Sequence, residues 1–135
     1  MIVGVGLDLV ELDRIEAIYK RFGTRFTKKI LTPKELTGHS TLPVVHLASR
    51  FAAKEAGVKA LGTGFALGIT LQHLEIVNNS SGRPQLLFSG PARSRAMQMG
   101  VHRTHLSISH GQRNAVAVVI LESLKLFPNN SGGGQ

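Results

Sequence analysis

Pro43-Val44-Val45-His46-Leu47-Ala48-Ser49-Arg50-Phe51-Ala52-Ala53-Lys54-Glu55-Ala56-Gly57-Val58-Lys59-Ala60-Leu61-Gly62-Thr63-Gly64 is the stretch on which the reading of this chain turns. Proline suits the start of a helix, where an amide proton has no partner inside the helix, and Val44, Leu47, Ala48, Phe51 and Val58 then recur at helical spacing as far as about Leu61. The glycines of Gly62-Thr63-Gly64 supply the stop. This is the longest helix the sequence predicts, and at about 100° per residue it places Glu55 among the apolar side chains. A carboxylate facing a core is costly unless it is paired or ligating. Taken alone, a buried ion pair explains it as well as a functional role does.

A second carboxylate changes that balance. Residues 2–9 read as a buried strand in which Ile2, Gly4, Gly6, Asp8 and Val10 share one face, so two absent side chains leave space beside Asp8. By itself Asp8 reads as a cap for the helix that follows. Two embedded carboxylates in a chain without cysteine form a candidate site for a hard cation, and magnesium takes one or two carboxylates together with substrate phosphates. A phosphate-bearing ligand is therefore implied by the same site. Zinc fits less well, because the six histidines, among them His102, His105 and His110, include no His-Glu-x-x-His pattern. Neither a Walker loop nor a full dinucleotide fingerprint accompanies Gly4-x-Gly6. Lys59, one turn beyond Glu55, has two readings: a surface ion pair with Glu55, or a group that stabilises phosphate charge or moves a proton.

Sixteen Lys and Arg against eight Asp and Glu give a net charge of +8, which favours an anionic partner. Nucleic acid is disfavoured, since aromatic residues make up only 5% and fall on core-type stripes, leaving no stacking platform. The N-terminal apolar run has no basic flank and is cut by Asp8, which argues against a signal peptide or membrane span and for the cytoplasm. At 135 residues one domain is expected, over 1–124, with the Asn/Gly-rich residues 125–135 as a disordered tail.

Between these landmarks, Ile15, Ile18, Tyr19 and Phe22 predict a short amphipathic helix stopped by Gly23, followed by a basic helical piece over 24–31. Thr32-Pro33-Lys34-Glu35 is a capping box. Strands are expected over 69–78 and 85–88 around the turn-forming residues 78–84, a helix from Ser89-Gly90-Pro91 to Gly100, and a final strand pair over 105–110 and 115–121.

Five segments in order, Gly6-Leu7-Asp8-Leu9-Val10, Arg50-Phe51-Ala52-Ala53-Lys54-Glu55-Ala56, Ala60-Leu61-Gly62-Thr63-Gly64, Gly82-Arg83-Pro84 and His105-Leu106-Ser107-Ile108-Ser109-His110, together resemble the holo-acyl-carrier-protein synthase family over roughly residues 2–121. The resemblance implies an α+β fold of the 4'-phosphopantetheinyl transferase type, an antiparallel sheet with one long helix packed on it, assembled as a homotrimer. It implies transfer of 4'-phosphopantetheine from coenzyme A to a serine of an acidic apo acyl carrier protein, in support of fatty-acid synthesis. By position, Asp8 and Glu55 would hold Mg2+, with Lys59 completing the catalytic set. Arg50, Gly62, Arg83, Pro84 and His105 would meet coenzyme A, and Arg14, Arg21 and Arg25 would receive the carrier protein. Gly111-Gln112-Arg113 is basic where relatives carry acidic or neutral residues, a departure that touches carrier choice and assembly rather than chemistry.

Overall fold

The structure, a computed structural model, describes residues 1–37 and 42–124, so the tail expected to be disordered lies outside the described residues. Strand β1 (Ile2–Glu11) runs directly into α1 (Leu12–Phe22), then α2 (Thr24–Ile30) and the single turn α3 (Pro33–Leu36). Helix α4 (Val44–Leu61) follows, then the hairpin β2 (Leu74–Asn78) and β3 (Pro84–Phe88), α5 (Gly90–Gln98), β4 (Arg103–His110) and β5 (Asn114–Glu122). Both sheets are antiparallel: β5 lies centrally in the order β1-β5-β4, and β2 and β3 form a separate pair with β3 lying against β4. The architecture is α+β, with α4 held between the three-stranded sheet and the hairpin. Among the described residues no helix is long and apolar enough to cross a membrane.

The strand-helix contact depends on missing side chains. A Cβ on Gly6 would stand 1.8 Å from the carbonyl oxygen of Ala56, and one on Gly4 2.3 Å from that of Ala60. The space expected beside Asp8 is thus filled by the helix backbone itself. Ala52, Ala56 and Ala60, at i, i+4 and i+8, are all buried, whereas Val44, Phe51 and Glu55 are only half-buried. The large apolar stripe read from the sequence is therefore not the face that meets β1. Small residues make that face because only they let a helix axis come this close to a sheet. On the opposite side, a Cβ on Gly57 would strike Leu74 and Leu86 of the hairpin at 2.7 and 2.8 Å.

A buried ion pair ties the shorter elements to α4. Lys54, fully buried, donates to Glu35 Oε1 at 2.6 Å and to the carbonyls of Ile30 and Leu71. Glu35 also closes the capping box with Thr32 and accepts from the amide of Ile76 on β2. Thr32 in turn donates to Glu75. Burial lowers the Lys54 pKa below its usual 10.5 while Glu35 pulls it back up. The Leu61 carbonyl at the C-terminal end of α4 accepts from Arg95 Nε of α5 at 3.0 Å, a cation where the helix dipole favours one.

The strand expected over 69–78 begins only at Leu74, because local bonds capture the residues before it. Thr70 caps a 3-10 turn, Leu71–His73, accepting from the Gln72 amide. The Gln72 side chain donates to the carbonyls of Lys28 and Leu31, docking the turn onto the end of α2. Those bonds compete with sheet pairing and prevail.

Gly6→Ala should cost at least about 2 kcal/mol in urea unfolding, since the clash is with backbone that cannot turn aside. Gly111→Ala, where an added Cβ meets nothing within 4 Å, should stay within about 0.5 kcal/mol of the parent.

Candidate active site

Asp8 enters the site from β1, where its Cα partner across the sheet is Ala117, small enough to leave the carboxylate room. Glu55 enters from α4. The two line one cleft of about 380 Å³, together with Arg14 and Ile18 of α1, Phe26 of α2 and Phe51. The turn from β1 straight into α1, with Leu12 N donating to Arg113 O at 2.8 Å, sets Arg14 at the mouth of that cleft. Arg25 lines a neighbouring apolar groove with Phe22, Phe26 and Lys29, and Arg21 lies exposed with its guanidinium 5.2 Å from the Phe22 ring centre.

Lys59 is paired, and with Asp8 rather than Glu55. Its ammonium donates to Asp8 Oδ1 at 2.9 Å and to the Leu7 carbonyl at 3.0 Å. Partial burial pushes the Glu55 carboxyl up from its ordinary 4.5, the Asp8 charge pushes it further, and Lys59 opposes both. These are two acids under mutual repulsion in one cleft, offering oxygen donors to a cation. Among the described residues no group of three or more His, Cys, Asp or Glu converges, so a metal here would need oxygens from water or substrate. That donor set fits magnesium, which keeps several such ligands.

The other sequence candidates gather elsewhere. Arg83, Pro84 and His105 line a cleft of about 540 Å³ along the junction of β3 and β4. Arg50 lines an adjoining one of about 470 Å³ with His46, Asn78 and His110, and Pro84 borders both. Burial lowers the pKa of the Arg50 guanidinium, with Glu35 opposing. His105 Nε2 lies 3.0 Å from Glu122 Oε1, and that hydrogen bond holds the Glu122 carboxyl below its usual range. Gly62 is the left-handed cap of α4, with φ 74°. Neither of these two clefts is lined by Asp8 or Glu55. Within one chain the carboxylates and the Arg83-Pro84-His105 group therefore line separate clefts.

A family model described as the 4'-phosphopantetheinyl transferase superfamily matches residues 4–119. The chain belongs to this superfamily. Similar members include a holo-acyl-carrier-protein synthase of Maridesulfovibrio salexigens, 54% identical over 90% of this chain and 99% of its own length. Among solved structures of the superfamily, the holo-acyl-carrier-protein synthase of Neisseria meningitidis superposes with a TM-score of 0.82 at 40% identity, covering 91% of this chain and all of that one. The Bacillus anthracis synthase in complex with coenzyme A (3',5'-ADP) superposes at 0.75 with 39% identity, covering 91% and 98%.

What sequence reasoning missed in this superfamily member is the Lys54-Glu35 pair. Its signal was available: Lys54 shares the helical row of Leu47, Val58 and Leu61, where a charge needs a partner.

The raised pKa of Glu55 has a testable sign. Its charged form is disfavoured in the folded state, so the penalty is absent below the ordinary value of 4.5 and complete once the pH exceeds the folded value. Without divalent metal, Glu55→Gln should therefore raise the melting temperature near neutral pH by about 1–4 °C. The gain should fade as the pH is lowered through 4.5, as a calorimetric pH series would show.

Proposed function

We propose that this chain transfers 4'-phosphopantetheine from coenzyme A to a serine of an acidic apo acyl carrier protein, in support of fatty-acid synthesis in the cytoplasm. The observation that carries the reading is the convergence of Asp8, Glu55 and the Asp8-bound Lys59 at one cleft whose mouth holds Arg14. The named relatives are synthases of this kind, and one was solved with coenzyme A.

In the reaction the serine oxygen bonds to the β-phosphorus of coenzyme A, the bond to the bridging pyrophosphate oxygen breaks, and adenosine 3',5'-bisphosphate leaves. The serine proton passes to solvent or to a base. Asp8 and Glu55 would hold Mg2+, which when bound offsets charge on the pyrophosphate. Lys59 supplies a positive charge at the same edge, and Arg50, Gly62, Arg83, Pro84 and His105 take the coenzyme. Arg14, Arg21 and Arg25 sit on the exposed face of α1 and α2, beside the cleft, where an acidic helix can reach them.

A homotrimer fits this reading. The outer face of the three-stranded sheet carries Val5, Leu7 and Leu9, which are 58%, 60% and 63% exposed, beside Val116, Val118 and Ile120 of β5. A continuous apolar face of this kind marks an interface. Pairing one subunit's Asp8-Glu55 cleft with another's Arg83-Pro84-His105 cleft would complete the site.

Incubation of the chain with apo carrier protein, coenzyme A and magnesium should add the mass of one phosphopantetheinyl group to the carrier, and Glu55→Gln should reduce the rate by at least about 100-fold. An unchanged rate at limiting magnesium counts against Glu55 as a ligand. Charge reversal at Arg14 and Arg21 should raise KM for the carrier far more than for coenzyme A, with added salt narrowing the gap. Mixing subunits defective only at Glu55 with subunits defective only at His105 should restore part of the activity; failure in demonstrated mixed trimers would place both residues in one subunit's site.

A further inference from the structure

The Asp8 carboxylate is only 15% exposed, and the group on it is the Lys59 ammonium, whose side chain is 53% exposed. Lys59 thus reaches back to β1 from the last turn of α4 with about half of its side chain exposed. Its two acceptors are both on β1, an edge strand of the three-stranded sheet. Lys59 is also the cation that counters the repulsion between Asp8 and Glu55.

We infer that Lys59 is the resident cation on Asp8 in the Asp8-Glu55 cleft and that it yields that carboxylate to the divalent metal instead of sharing it. The inference rests on the reading of that cleft as a magnesium site. Magnesium binds carboxylate oxygen at about 2.0–2.1 Å. An ammonium hydrogen-bonded to the same carboxylate is then a like charge a few ångströms from the metal, and it is the half-exposed, flexible partner that gives way. Once displaced, Lys59 loses both its acceptors on β1 and needs new ones. Metal arrives with substrate phosphates in such sites, so the released ammonium is free to meet the negative charge that the reaction develops. The exchange makes one residue serve two states: it holds two repelling acids together when metal is absent, and it joins the phosphate-binding set when metal enters.

The test uses the full chain with manganese alone, read by the electron paramagnetic resonance of free Mn2+, for the parent, Lys59→Met and Glu55→Gln. Exchange predicts that Lys59→Met binds Mn2+ at least about threefold more tightly than the parent, because a competing cation has been removed. The same variant should melt at a lower temperature without metal and recover the loss when Mn2+ is added. Mn2+ binding that depends on Glu55 but is unchanged or weakened by Lys59→Met overturns the exchange alone, since Lys59 would then not compete with the metal for Asp8. Binding that Glu55→Gln leaves untouched overturns the metal reading itself, and the exchange with it.

Discussion

The contact between the glycine face of β1 and the backbone of α4 governs the rest of the molecule. Ordinary side chains hold a helix well off the sheet it covers; here the Ala56 and Ala60 carbonyls lie within contact distance of where Cβ atoms on Gly6 and Gly4 would stand. That approach brings a strand residue, Asp8, and a helix residue, Glu55, to the same cleft although 47 positions separate them in sequence. It also lets Lys59, one turn further along α4, reach back to the Leu7 carbonyl. A bulkier strand would lift the helix and part the two acids.

The second fixed point is Glu35. One carboxylate closes a helix cap, neutralises a fully buried lysine and satisfies an edge amide of β2. It thereby locks α3, α4 and the hairpin against one another, and its charge also acts on Arg50. Replacing such a pair by apolar residues can be neutral, but removing one partner strands the other charge in the core. Neither Lys54 nor Glu35 lines the Asp8-Glu55 cleft, yet the pair fixes the helix from which Arg50, Glu55 and Lys59 all project.

Much of this was legible in the sequence, for identifiable reasons. Caps and stops depend on local chemistry, so Gly23, the Thr32-Glu35 box and Gly62 marked their helix ends where the structure has them. The anomalous carboxylates pointed to the cleft because charges in apolar surroundings need a cause. The orientation of α4 was not legible, since helical periodicity weighs large side chains, and the decisive face consists of alanines. The late start of β2 escaped for a related reason: the bonds that hold residues 70–73 come from Gln72 reaching to α2, a distant segment that no local pattern reveals. The ion-pair alternative for Lys59 named the wrong acid for the same reason, as spacing along a helix sees Glu55 but not a strand 51 positions earlier.

If the proposed trimer forms through the apolar outer face of β1 and β5, that face ties activity to abundance. If each complete site lies between chains, then below the assembly's dissociation range the number of sites falls faster than the number of chains, because every site requires an encounter. Output would then rise steeply with expression and collapse on dilution. A cell making this chain sparingly would hold folded subunits that are catalytically silent, so the threshold for activity would be set by the stickiness of six aliphatic side chains rather than by anything in the cleft.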